Sequence, residues 1–215
     1  MNTPVVDSLG SRARRICVDA RLLSVDLEAY PGGDQRIFAI GAVRAGHADG
    51  FGRACSSASA PAVIAALNDF SQGSGGLVGH NVRRHDIPLM EAQLPQLACL
   101  RWPLLDTLEL SAPAFPSNPY HRLVKGYKLI TEERNNPTKD ARVALDVCEE
   151  AVHALLEADA APWWPALLHG LLEGDPGMAM LLSRICETTP PARAEPPARV
   201  RQHYAAAKTL NQISL

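Results

Sequence analysis

Apolar and polar positions alternate along RLLSVDLEA: Leu23, Val25 and Leu27 share one side of an extended strand, and Ser24, Asp26 and Glu28 share the other. PGGD then breaks the chain at 31–34. RIFAIGAVR is apolar on both faces, which predicts a central strand. A turn at Ala45-Gly46-His47 and a weaker strand over Gly50–Ala54 complete an antiparallel meander. APAVIAALNDFS has a helical pattern that the Gly-rich QGSGG ends, and LVGHN reads as a short buried strand.

Two later helices carry acids at informative places. Asp86, Leu89, Met90, Leu94 and Leu97 recur at steps of three and four, with Pro88 in the first turn. Asp140, Ala144, Val147, Ala151 and Leu155 do the same. Each acid heads the stripe that its helix turns toward a sheet, whereas a surface acid usually sits off that stripe. Between the two lie a strand ending near Asp106, a proline-broken connection, and a short helix or turn around His121–Ile130. Strands followed by helix–strand–helix–strand–helix predict an α/β fold with a mixed sheet. Beyond Ala158, PWWPALLHGLL and GMAMLLSRI read as two short helices, TTPPARAEPPAR as an extended linker, and the last residues as a marginal helix. The expected organisation is a flexible tail over 1–14, a main domain over 15–158, a helical extension over 159–187, and a Pro-rich linker with a C-terminal tail over 188–215.

Composition narrows the classes. A net charge of -2 argues against a non-specific polyanion binder and leaves room for a local basic groove. Five cysteines without a CxxC pair point to reduced thiols rather than a disulfide framework or a zinc site. The first residues lack the apolar core of a signal peptide, and no apolar run reaches membrane-spanning length. A soluble cytoplasmic protein with no membrane partner is expected.

Asp26 and Glu28, two apart on a strand, project from one face at near-neighbour distance, and such a pair favours a hard cation with oxygen ligands. Taken alone, a solvated strand face explains that pair equally well, and Asp86 or Asp140 alone suits the positive end of a helix. The conjunction of all four is what points to a two-metal phosphodiester-cutting site.

At these residues the chain resembles the DEDD (DnaQ-like) 3′–5′ exonucleases, which have a ribonuclease H-like fold. VDLEAY…RIFAIGAV is similar to the family's first motif, LVGHNVRRHDIPLM to its second with His85 where Phe is common, and NPTKDARVAL to its third. LDTLEL resembles the strand between them, and the likeness covers about residues 20–157. The stretch DTLELSAPAFPSNPYHRLVKGYKL with NNP-x-x-DAR resembles exonuclease domains associated with bacterial RecQ-type helicases. No G-x-x-x-x-G-K-[ST] loop is present, so a helicase or another nucleic-acid machine enters only as a partner.

The resemblance implies a ribonuclease H-like mixed β-sheet flanked by helices, with a small C-terminal helical extension. It implies that Asp26 bridges two Mg2+ or Mn2+ ions, that Glu28 and Asp140 support the ion delivering the water, and that Asp86 helps hold the other. Leu27 and Ala29, flanking the acids, are implied to wedge against the terminal base. The family's general base is a His five residues before the last Asp, or a Tyr one residue later; this chain has Asn135 and Asn136 there. An amide orients water but does not accept its proton. Asn135 is therefore expected to position the water in a slower enzyme, with His85 and His121 the only candidates to replace the base.

Arg83, His121, Lys125 and Lys128 are the candidates for holding nucleic acid, the two lysines because Tyr120 and Tyr127 interleave with them. The expected activity is removal of nucleotides from single-stranded or frayed DNA 3′ ends. The alternatives are a nuclease-like module that binds nucleic acid or protein without cutting, and an exoribonuclease.

Overall fold

The computed structural model describes residues 9–32, 35–116, 136–157, 168, 172 and 174–186. Five strands are formed: β1 (Leu22–Ala29), β2 (Ile37–Arg44), β3 (Gly50–Ala54), β4 (Gly76–Gly79) and β5 (Leu104–Asp106). They lie in the order β3-β2-β1-β4-β5, with β1–β2 and β2–β3 antiparallel and β1–β4 and β4–β5 parallel. The helices are α1 (Leu9–Asp19), α2 (Ala60–Phe70), α3 (Asp86–Gln93), α4 (Thr107–Ala114), α5 (Pro137–Glu157) and α6 (Pro176–Cys186), with a 3-10 turn at Ala98–Arg101. The mixed α/β sheet expected from the element order is thus present.

Alternation along the strands sorts the helices into two layers. Leu23, Val25, Ile40, Ala42 and Leu77 point into a core shared with Val63 and Leu67 of α2 and Met90 of α3. Leu22, Val43, Val78 and Leu105 point the other way, into a core shared with α1, α4, α5 and α6. Asp26 and Glu28 therefore project toward the layer led by α5, the longest helix of the described residues.

Three sequence expectations are corrected. Residues 9–14 belong to α1 rather than to a tail, because Ala13, Ile16, Cys17 and Ala20 make a buried stripe against α5. The segment after Asp106 continues as α4, with Pro113 tolerated in its last turn. The helix begun by Asp86 stops at Gln93, and the chain reaches Leu97 through a bend into the 3-10 turn. GMAMLLSRI falls within α6 as expected, and most of PWWPALLHGLL lies outside the described residues. Among the described residues no helix is long and apolar enough to cross a membrane.

Candidate metal centre

The site is built where β1 runs out past its parallel neighbour. β1 pairs with β4 only over Leu22–Ser24, while its other edge stays paired with β2 as far as Ala29. Asp26 and Glu28 sit on that overhang and face α5. The N-terminus of α5 comes to them because the sheet has no side chains in its way. Gly41 is the cross-strand partner of Asp26, and Gly52 is the partner of Gly41. A Cβ at Gly41 would fall on the Pro137 carbonyl and the Thr138 nitrogen, and Cβ atoms at Gly50 or Gly52 would strike the Thr138 side chain. On this glycine floor Thr138 Oγ1 donates to the Phe51 carbonyl at 2.7 Å. Asn136 starts the helix by accepting the Lys139 N–H on its side chain at 3.2 Å, with Pro137 at the first helical position.

Seated this way, Asp140 brings its carboxylate to the two on β1. Oxygens of Asp26, Glu28 and Asp140 lie within 4.8 Å of one another, each residue half-buried. At that separation two full charges repel by about 3 kcal/mol or more at an effective dielectric constant near 20. A divalent cation placed among them would offset that repulsion. The donor set is all carboxylate oxygen, which suits Mg2+ or Mn2+ and not a soft metal. One pleat deeper on the same face, Ser24 is fully buried and its hydroxyl has no hydrogen-bond partner among the described residues.

Asp86 stands beside this trio without joining it. Its Oδ1 accepts the Leu27 N–H at 3.1 Å, on the stretch of β1 that β4 leaves unpaired. Burial pushes the Asp86 carboxyl up to about 7, with hydrogen bonds from backbone N–H groups opposing and the charges of Asp106 and Glu28 adding to the rise. The structure thus brings three of the four acids within mutual reach and fixes the fourth on the intervening backbone.

Comparison with protein-family models and with curated proteins finds no match.

Asp106 is a component that sequence reasoning named only as a strand end. Almost completely buried, it accepts the N–H groups of Asn81 at 2.8 Å, Arg83 at 3.1 Å and Leu108 at 3.0 Å. It thereby caps α4 and pins the loop that delivers Asp86, where Asn81 takes a left-handed φ of 56°. His80 in the same loop bonds Thr107 through Nδ1 at 2.9 Å. Desolvation lowers its pKa and the nearby Asp106 opposes that, which favours the neutral imidazole in a structural hydrogen bond.

The remaining candidates fall elsewhere. The Arg83 guanidinium reaches Glu109 at 3.3 Å and Asp175 at 2.6 Å, tying its loop to α4 and the start of α6 instead of standing ready for phosphate. The Leu27 side chain turns to the α2–α3 core, on the face opposite the acids. Ala29 ends β1, half-buried. His85, exposed, is the residue just before α3. Asn135, His121, Lys125 and Lys128 lie outside the described residues.

Proposed function

We propose that the chain is a divalent-metal-dependent 3′–5′ exonuclease of the DEDD type on a ribonuclease H-like sheet, acting on single-stranded or frayed DNA ends. The observation that carries this reading is the meeting of Asp26, Glu28 and Asp140, drawn from a strand and a helix far apart in sequence, within 4.8 Å. The strand order β3-β2-β1-β4-β5 with β2 antiparallel is compatible with that fold. Asp26, Glu28 and Asp140 would hold the cations, with Asp86 bordering them. Two such ions, when bound, stabilise charge on a phosphodiester under attack and make water more acidic. The Asn136 amide is engaged in starting α5, so it does not supply the base that a tyrosine would offer there. Proton removal without a dedicated imidazole is worth less, and a rate lower by about 10²–10⁴-fold than with one follows.

Incubation with 3′- and 5′-labelled DNA and RNA, in Mg2+, in Mn2+ and in chelator, tests the reading. Metal-dependent shortening from the 3′ end is expected, and faster loss of RNA would assign the exoribonuclease alternative. Binding without product, in Mn2+ as well, would overturn catalysis and leave a nucleic-acid-binding module.

A further inference from the structure

Helix α6 starts directly on the backbone of β5: a Cβ at Gly177 would overlap the Leu104 carbonyl. Met178, Leu181, Leu182 and Ile185 bury its apolar side in the core shared with α1 and α5. Pro176 takes the first helical position, and Asp175 just before it accepts the Gly177 and Met178 N–H groups on Oδ1, both at 2.9 Å. The helix uses one carboxylate oxygen of Asp175. The other, Oδ2, accepts Arg83 Nη2 at 2.6 Å. Arg83 Nε reaches Glu109 in the first turn of α4 at 3.3 Å, and the Arg83 main-chain N–H donates to Asp106 at 3.1 Å. From Arg83, one peptide bond and then hydrogen bonds lead to the carboxylates. The carbonyl of the fully buried Val82 accepts the Asp86 and Ile87 N–H groups at 3.1 and 2.9 Å. Asp86 accepts the N–H of Leu27, which stands between Asp26 and Glu28.

We infer that Arg83 and Asp175 form a latch through which α6 positions Asp86 against β1, so that the C-terminal extension is a working part of the candidate site. What Asp86 does there rests on the proposed nuclease reading; the latch itself does not. The segment between β4 and α3 is made of turns, with Asn81 at a left-handed φ of 56°, so its shape depends on what grips it from outside. Asp106 grips its main chain and Asp175 grips its one side chain that reaches across to α6. A guanidinium suits this post because its planar fork serves two acids at once, where an ammonium is a point charge. Asp175 makes a firm anchor because its own helix is fixed by the Gly177 contact and a buried apolar side. Arg83 and Asp175 are then positioning residues that act through Asp86. A phosphate contact by Arg83 would instead require Asp175 to let go.

The test is amide hydrogen exchange on the full chain in chelator, read at the Leu27 N–H. Ala42, paired on both sides in the middle of β2, is the reference for global opening. Arg83→Met removes the latch, and Asp175→Asn removes its charge while keeping a capping oxygen for α6. Both side chains are partly exposed, so each variant is expected to speed Leu27 exchange by about two- to five-fold with Ala42 unchanged. The double variant is expected to go no further than Arg83→Met, since Asp175 acts through Arg83. Unmoved Leu27 exchange in either single variant, a larger effect in the double variant, or equal acceleration of Leu27 and Ala42 overturns the latch. Binding of a 5′-fluorescein oligothymidylate in Ca2+ that weakens in Arg83→Met and tightens in Asp175→Asn also overturns it, in favour of a phosphate contact. Mn2+ uptake by the parent, measured alongside, separates the two ideas. Uptake with unmoved Leu27 removes the latch alone, and accelerated Leu27 exchange without uptake supports the latch and removes the metal reading.

Discussion

Gly41→Ala isolates the contact that assembles the carboxylates. Gly41 faces Asp26 across the β1–β2 ladder, and the space of its missing side chain is filled by the backbone of Pro137 and Thr138. Carbon atoms settle at about 3.5–4.0 Å, so a methyl group there moves the first turn of α5 by roughly 1.5 Å. Backbone has no rotamer with which to yield. Gly41 does not have a positive φ, so alanine fits its conformation and would by itself stabilise the chain by about 0.4–1 kcal/mol through the unfolded state. Overpacking costs about 1–3 kcal/mol and outweighs that gain. A net loss of about 1–2 kcal/mol lowers Tm by about 2–8 °C in a chain of this size. The same shift carries Asp140 away from Asp26 and Glu28. A ten-fold weaker cation then forfeits about 1.4 kcal/mol of the stabilisation it confers at saturation. Thermal melts in chelator and in excess Mn2+ read both effects. A variant that melts like the parent and gains as much from Mn2+ refutes the seating of α5 on the glycine floor.

Two other predictions concern the neighbouring acids. The Asp86 carboxyl titrates near 3.8 when unfolded and about 7 when folded, so in chelator its contribution is complete below pH 4 and is lost as pH rises through 7, by on the order of 4 kcal/mol. Asp86→Asn should flatten that decline in urea midpoints measured across the range, and an identical decline in the variant would contradict the assignment. Asp106→Ala strips the acceptor from three buried or half-buried backbone N–H groups and should destabilise by about 3 kcal/mol or more. A urea midpoint within experimental error of the parent's would show that the Asn81–Arg83 loop holds itself.

Much of this was legible because two periodicities carry it. Alternation in LLSVDLEA put Asp26 and Glu28 on one face; the stripe expected from Asp140 holds at Ala144, Ala151 and Leu155, but the buried face of α5 also runs through Ala141, Leu145 and Cys148, and leaves Asp140 and Val147 half-buried at its edge. What closes the site was hidden, because cross-strand register is not written in local sequence. Gly41, Gly50 and Gly52 are unremarkable in GAV and DGFGRA until pairing lines them up beneath Thr138. Helix α1 escaped notice because its arginines mask the stripe of Ala13, Ile16 and Cys17. Asp106 read as the end of a strand, and its role rests on N–H groups 23 and 25 residues away that only the folded loop presents. For Asp86 the stripe gave the direction, and the gap left by β4 decided what its carboxylate meets first.

Titration calorimetry of Mn2+ into the parent chain, Asp26→Asn and Asp140→Asn goes straight to the claim that these carboxylates share cations. Saturable binding by the parent, lost or weakened at least ten-fold in each variant, is the predicted result. A parent chain that takes up no Mn2+, or variants that bind it as well as the parent does, would contradict the account.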